Sequence, residues 1–211
     1  MERVAVLIPT YDRFDILRQC ISALEQNLKG VLKTYYVGND HDKNLPPYSQ
    51  SVKIFNEPTG SLGANLNRLI KAAISDGFDY LFQLDDDHIL LDPLDLTPHI
   101  EELKNPETNT HWIRLMGVGS HNYDAHLNHK YWMVNWKSPE LYITSNRPHL
   151  KTTRFHKVNG FYPEGKTLGQ TEEGFCHQCK DINGRLQVAI PLTYDDNLWD
   201  HVGHSWQMEG F

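Results

Sequence analysis

Apolar and polar positions alternate in blocks along the first half of the chain. Val4–Ile8 is a short, mostly β-branched run closed by Pro9, the pattern of a buried strand. Phe14, Ile16, Leu17, Cys20, Ile21, Leu24 and Leu28 then recur at helical spacing up to Gly30, with Asp12 placed to cap the helix. Thr34–Val37 and Val52–Phe55 read as further strands. A Gly-rich turn leads into a helix over Gly63–Ser75, with Leu66, Leu69, Ile70 and Ala73 on one face. Tyr80–Leu84 is the next strand, and it runs directly into Asp85-Asp86-Asp87. Strands alternating with helices at this spacing predict an α/β fold built on a parallel sheet with right-handed crossovers. In the second half, Trp112–Val118, Tyr131–Val134 and Leu186–Ile190 read as strands, and a polar loop then reaches His201. No linker composition divides the chain.

Composition narrows the class. The chain has 211 residues, 39% of them hydrophobic and 11% aromatic, which suits one globular domain and excludes a disordered or collagenous chain. No apolar run reaches membrane-spanning length, and the short N-terminal apolar stretch lacks a small-residue cleavage site, so neither a membrane span nor a signal peptide is expected. Three Cys fit a reducing cytoplasm better than a disulfide framework. The net charge of −7 excludes a general polyanion binder. One stretch departs from it. His126–Lys166 holds seven Lys/Arg against Glu140 and Glu164, a local +5 in a chain whose remainder is −12. A solvated loop surface is the plain reading of such a run; a cationic acceptor surface is the sharper one.

The candidate chemistry begins at the acid triplet. Three adjacent carboxylates at the mouth of a sheet repel one another, and a hard divalent cation relieves that repulsion while leaving room for phosphate oxygens. The chain has neither a GxGxxG nor a GxxxxGK[ST] loop, so a metal-held diphosphate remains. Ligands of such sheets bind at the carboxyl ends of strands, where each polar cluster of the first half falls. Glu172-Glu173 taken alone reads as an acidic pair opening a helix. His201 and His204 taken alone read as structural or surface groups, and beside the acid cluster they become candidate metal ligands. Cys176-His177-Gln178-Cys179 lacks the second Cys pair of a structural zinc site.

These motifs resemble, in order, those of glycosyltransferases with the GT-A fold, closest to glycosyltransferase family 2. Val6-Leu7-Ile8-Pro9-Thr10-Tyr11-Asp12-Arg13 is similar to the family's opening strand and turn, and Val37-Gly38-Asn39-Asp40 to the end of its second strand. Gly63-Ala64-Asn65-Leu66-Asn67-Arg68 resembles its helix start, and Leu84-Asp85-Asp86-Asp87 its DXD motif. Val158-Asn159-Gly160-Phe161-Tyr162-Pro163-Glu164 with Thr171-Glu172-Glu173 resembles its Gly-Gly-Phe-Asp-Glu…Glu-Asp segment, and His201-Val202-Gly203-His204-Ser205 its late His motif.

The resemblance implies a single Rossmann-like domain over 1–211. A mostly parallel central sheet would be flanked by helices, with residues 1–92 binding the nucleotide sugar and 93–211 forming a smaller acceptor side. It implies a metal-dependent, inverting transfer of sugar from a nucleotide sugar, a UDP-sugar foremost, with Mn²⁺ or Mg²⁺ as cofactor. Pro9, Thr10, Tyr11, Arg13, Asn39, Asp40, Gly63, Asn67, Asp85 and Asp86 would line the donor site. Asp87 and Asp85 with His201 or His204 would hold the metal. Glu173 stands where the family has its usual base, with Glu172 the alternative. The acceptor would be a glycan. The basic, aromatic segment adds a second candidate, a hydroxylated base in DNA as in phage-type DNA modification, with Lys151 and Arg154 on phosphates and Trp132 and Trp136 as stacking faces. A binding module of the same fold without turnover, and a nucleotidyltransferase, are the competing classes. The latter expects a Gly-rich basic loop where Pro9–Arg13 stands.

Overall fold

The computed structural model describes residues 1–116, 125–128, 130–181, 186–192 and 196–202. His204 lies outside the described residues. In chain order the elements are β1 (Glu2–Thr10), α1 (Phe14–Asn27), β2 (Leu28–Lys29), β3 (Val31–Asn39), β4 (Val52–Phe55), α2 (Leu62–Ser75), β5 (Tyr80–Gln83), β6 (His88–Leu90), β7 (Leu94–Asp95), α3 (Thr97–Lys104), β8 (Thr110–Arg114), β9 (Ala125–Asn128), β10 (Tyr131–Val134), β11 (His149–Thr152), α4 (Thr153–Asn159), α5 (Leu168–Asp181), β12 (Gln187–Pro191) and β13 (Trp199–His201).

Nine strands form one sheet in the order β4-β3-β1-β5-β11-β8-β12-β10-β9. The pairs β4–β3, β3–β1, β1–β5 and β8–β12 are parallel, and only β11 and β10 run against the common direction. The sheet is continuous across the two halves of the chain, because β11 inserts between β5 and β8. Strand β1 is buried on both faces. Val4, Val6 and Ile8 pack against Leu17, Ile21 and Leu24 of α1, while Ala5 and Leu7 pack against Leu66, Leu69 and Ile70 of α2. That double burial explains why its sequence is a continuous apolar run rather than an alternating one.

The strands and helices expected in the first half are all present; β1 and β3 are several residues longer, and the others match to within a residue or so. Two local expectations are corrected. Asp12 does not cap α1. It takes a left-handed backbone conformation at φ 50°, and Arg13 holds the cap position without a side-chain hydrogen bond. Residues 168–181 form α5 from Leu168, so Glu172 and Glu173 lie in its second turn rather than at its start. Strand β11 is not legible as a buried strand, since His149-Leu150-Lys151-Thr152 holds one apolar residue among three polar ones although all four are buried.

Helix α2 approaches the 160–165 segment closely. A Cβ on Gly63 would stand 2.0 Å from the backbone oxygen of Pro163. Asn67, one turn on, pairs with both backbone groups of Tyr162 at 2.9 Å and with Glu164 at 2.8 Å. Gly63→Ala should therefore destabilise the protein by about 1–3 kcal/mol through overpacking, despite the better helix propensity of Ala, as read by urea unfolding. No helix among the described residues is long and apolar enough to cross a membrane.

Candidate active site

The carboxyl ends of β4, β3, β1 and β5 lie side by side at one edge of the sheet, since Thr10 pairs with Asn39, Gly38 with Phe55 and Leu7 with Gln83. The acid triplet follows β5 at this edge, and its three carboxylates meet different partners. Asp86 is buried and turned inward, where Thr10 Oγ1 and two nitrogens of Arg13 donate to it. Burial pushes its carboxyl up to about 7, with Arg13 and Thr10 pulling the other way. Burial also weakens the Arg13 guanidinium, but Asp86 and Asp87 outweigh it and hold the cation in place. Thr10, Arg13 and Asp86 thus brace the triplet from below. Asp85 sits at the mouth. Burial first, then the charges of Asp87, Glu172 and Asp86, push its carboxyl well above the ordinary range.

Asp87 faces two imidazoles. Arg13 Nη1 donates to its Oδ2 at 3.2 Å, while its Oδ1 lies 3.3 Å from His88 Nδ1 and 3.5 Å from His201 Nε2. The pairing of β13 with β6 sets His201 directly opposite His88, and their rings stack 4.6 Å apart. Val202 N–H donates to the Asp87 carbonyl, and Trp199 fastens β13 by stacking on Phe82 and donating to Leu115 O. Burial pushes His88 down to about 4, so the ring is neutral near pH 7 with a lone pair to offer. Asp87 Oδ1 and His88 Nδ1 are buried without a hydrogen-bond partner among the described residues. Native structures rarely leave such atoms unmatched, and a cation between them would satisfy both. One ligand atom from each of Asp87, His88 and His201 falls within 4.8 Å of the others, so the donor set fits a divalent metal. His88 was missed in the sequence. Its only signal is that it adjoins the triplet.

The Glu pair reaches the same edge unequally. Glu172 Oε1 accepts from the Asn146 N–H at 2.6 Å, and its charge acts on Asp85. Burial raises its carboxyl above the ordinary value, against the Asn146 bond and the charges of Arg147 and Arg114. Glu173 instead accepts from the Tyr142 hydroxyl at 2.9 Å.

The remaining expected donor residues divide. Tyr11 is half exposed beyond β1, with its ring edge-on to His41 at 5.0 Å. Pro9 is buried in β1 beside Gly38. Asn39 is buried and donates to Lys43 O at 2.8 Å, and Asp40 accepts from Thr59 and Gly60. Both side chains shape the loops around the donor edge. Gly63 and Asn67 serve the packing of α2 on the 160–165 segment described above.

Three of the four expected acceptor residues are corrected. Lys151 is 0% exposed and lies in the core. Because β11 runs opposite to β5, the chain leaves it at the amino edge of the sheet. Arg154 is exposed there, next to Thr153, whose N–H donates to Asp79 O just before β5 begins. Trp136 donates to Leu186 O, just before β12 begins, and so belongs to that same far edge. Lys151 and Arg154 therefore do not form a surface at the site. Trp132 is 41% exposed, but β10 stands four strands from β5, about 19 Å at ordinary strand spacing. Cys176 and Cys179 are free and buried against the core.

A mostly parallel sheet whose carboxyl edge carries an acid triplet, a carboxylate–imidazole cluster and a facing glutamate matches the GT-A glycosyltransferase fold. The profile of glycosyl transferase family 2 matches residues 5–164, and the chain belongs to that family. Among solved structures, Staphylococcus aureus TarS 1–349 in complex with UDP superposes with a TM-score of 0.61 at 15% identity, covering 90% of this chain and 58% of that one. The same fragment with UDP-GlcNAc gives 0.57 at 15% identity, over 95% and 60%. A mutant of Drosophila β1,4-galactosyltransferase 7, in complex with manganese, UDP-Gal and xylobiose, gives 0.59 at 18% identity, over 100% and 77%. The chain spans about three-fifths of the TarS fragment and 36% of the longer TarS structure. No curated protein matches the sequence.

Proposed function

We propose that the protein transfers a sugar from a UDP-sugar to a hydroxyl of a saccharide acceptor, with inversion at the anomeric carbon, in the cytoplasm. The observation that carries this reading is the convergence, at one sheet edge, of the Asp87–His88–His201 cluster with Glu172. The exposed Tyr11 ring supplies a face for the base, and Asp85 stands at the mouth to meet the ribose or the diphosphate. Asp87, His88 and His201 would hold the cation. A carboxylate with two imidazoles suits manganese better than magnesium, which prefers an all-oxygen shell. When bound, the cation stabilises the negative charge that builds on the departing diphosphate.

The acceptor hydroxyl must lose a proton as it attacks, and Glu172 is the carboxylate placed to take it. Its carboxyl sits above the ordinary glutamate range, closer to neutral pH, which suits a general base. Glu173, tied to Tyr142, shapes the wall beside it. The saccharide reading is supported by the burial of Lys151 and by Arg154 lying at the far edge of the sheet, which take both expected phosphate contacts away from the site.

The test is a panel of nucleotide sugars incubated with the protein and Mn²⁺, Mg²⁺ or EDTA, scored for UDP release with and without oligosaccharide acceptors. Metal-dependent release from one UDP-sugar, accelerated by a saccharide, is the expected result. Tight donor binding without any turnover would instead identify a binding module.

A further inference from the structure

Lys151 is a fully buried lysine with no salt bridge among the described residues, which calls for an explanation. Its Nζ lies over the rings of Trp112 and Tyr162, at 4.5 and 5.1 Å from their centroids. It donates to Gln83 Oε1 at 2.7 Å and to the Tyr162 hydroxyl at 3.2 Å. The Gln83 amide is thereby oriented, its oxygen toward Lys151 and its nitrogen away. Gln83 Nε2 donates to Asn146 Oδ1 and to Tyr162 Oη, each at 3.2 Å. Asn146, itself buried, gives its backbone N–H to Glu172 Oε1 at 2.6 Å. An unbroken relay thus runs from β11 through the last residue of β5 to the carboxylate on α5.

We propose that Lys151 is a positioning residue for Glu172, acting through Gln83 and Asn146. This rests on the reading of Glu172 as the base, and it goes further by naming what sets that base. Residue 83 is two positions before Asp85, so the relay ties the proton acceptor to the strand that carries the acid triplet. Burial pushes the Lys151 ammonium well below its ordinary range, and charged or neutral its N–H groups face the Gln83 oxygen and so fix the direction of the chain. An apolar residue there would leave Gln83 free to turn its amide over, and Asn146 would lose the bond that holds its loop against Glu172. Helix-borne carboxylates need such locking, since a displacement of about 1 Å at a reacting group can cost on the order of 100-fold in rate.

The groups acting on the Glu172 carboxyl are known on each side. Arg147 from the 141–148 loop and Arg114 from β8 lower it, as does the Asn146 bond. Glu173 from its own helix raises it, and Asp85 from the β5 end adds like charge. Loosening the Asn146 bond therefore moves the Glu172 carboxyl upward.

The experiment uses Lys151→Met and Gln83→Met, near-isosteric changes that break the relay at two points, in protein labelled with ¹³C at the glutamate carboxyl. Glu172→Gln identifies the Glu172 resonance, and thermal melts confirm folding. Lys151→Met removes a charge that burial already disfavours and leaves one buried amide oxygen without its donor, while Gln83→Met removes that oxygen as well, and the melts read the cost of each. In both variants the Glu172 titration should move to higher pH, and kcat should fall by about 10-fold or more with the donor KM little changed. Wild-type titration in both variants overturns the proposal. A shift in Lys151→Met alone also overturns it, because Gln83→Met keeps the lysine and would leave only a through-space charge effect. If both variants shift while Glu172→Gln remains fully active, the relay stands and the base assignment falls.

Discussion

Asp87→Ala is expected to abolish metal-dependent turnover and to remove the metal dependence of nucleotide binding, while the protein stays folded. Asp87 is the one residue shared by both contacts of the cluster, with its Oδ1 facing His88 and His201. Removing it leaves two imidazoles and takes the one carboxylate from the three-residue cluster. The diphosphate leaving group then loses the Lewis acid that stabilises it. The fold should survive, because Arg13 keeps its paired contact with Asp86, and Trp199 still fastens β13. Isothermal calorimetry with UDP and Mn²⁺, beside a UDP-release assay, reads both effects. Full metal-dependent activity in Asp87→Ala would reject the site. His88→Ala should raise the Mn²⁺ concentration needed for half-maximal activity, and it separates this cluster from one built of carboxylates alone.

Glu172→Gln should cut transfer by about 10²–10⁴, the usual contribution of a general base, while donor binding is retained. Glu173→Gln should do much less, because its partner is a tyrosine hydroxyl that a glutamine oxygen still accepts from. The pH dependence follows from the same assignment. Glu172 works as a base only when ionised, so activity is present above its pKa and is lost as pH falls through it. Burial lifts that pKa above the ordinary 4.5, so the acidic limb of kcat should lie above that value. The opposite ranking of the two variants would move the base to Glu173. An acidic limb at or below the ordinary glutamate value would argue that the base is not this buried carboxyl.

Much of the first half was legible because local and tertiary demands agree there. The apolar runs of β1 and β3, the helical periodicity of α1 and α2, and the acid triplet directly after β5 are each set within a few residues. Their parallel order follows from short crossovers that close in one hand. Strand β11 shows why the second half was not. Three of its four residues are polar, although all four are buried. Only its insertion between β5 and β8 reveals that His149 stacks on Trp112 and that Lys151 has amide and hydroxyl partners. Reading Lys151 and Arg154 as a cationic surface took charge as exposure, and the reversed direction of β11 defeats that inference twice. One of the two is buried, and the other is carried to the edge of the sheet away from the site.

The sequence by itself determined the α/β class, the strand ends that gather polar groups, and the family, because these depend on patterns that lie close together in the chain. It also named Asp87 and His201, though not what joins them. Tertiary structure decided the rest. The pairing of β13 with β6 sets His201 against His88, more than a hundred residues earlier, and brings into the cluster a histidine with no motif of its own. The packing of α5 on the 141–148 loop turns Glu172 toward Asp85 and Glu173 toward Tyr142, a choice between adjacent identical residues that no local pattern contains. The physical reason is the same in both cases. A hydrogen bond or a metal ligand is specified by position to within a fraction of an ångström, and residues distant in sequence acquire such positions only when the core that carries them has packed.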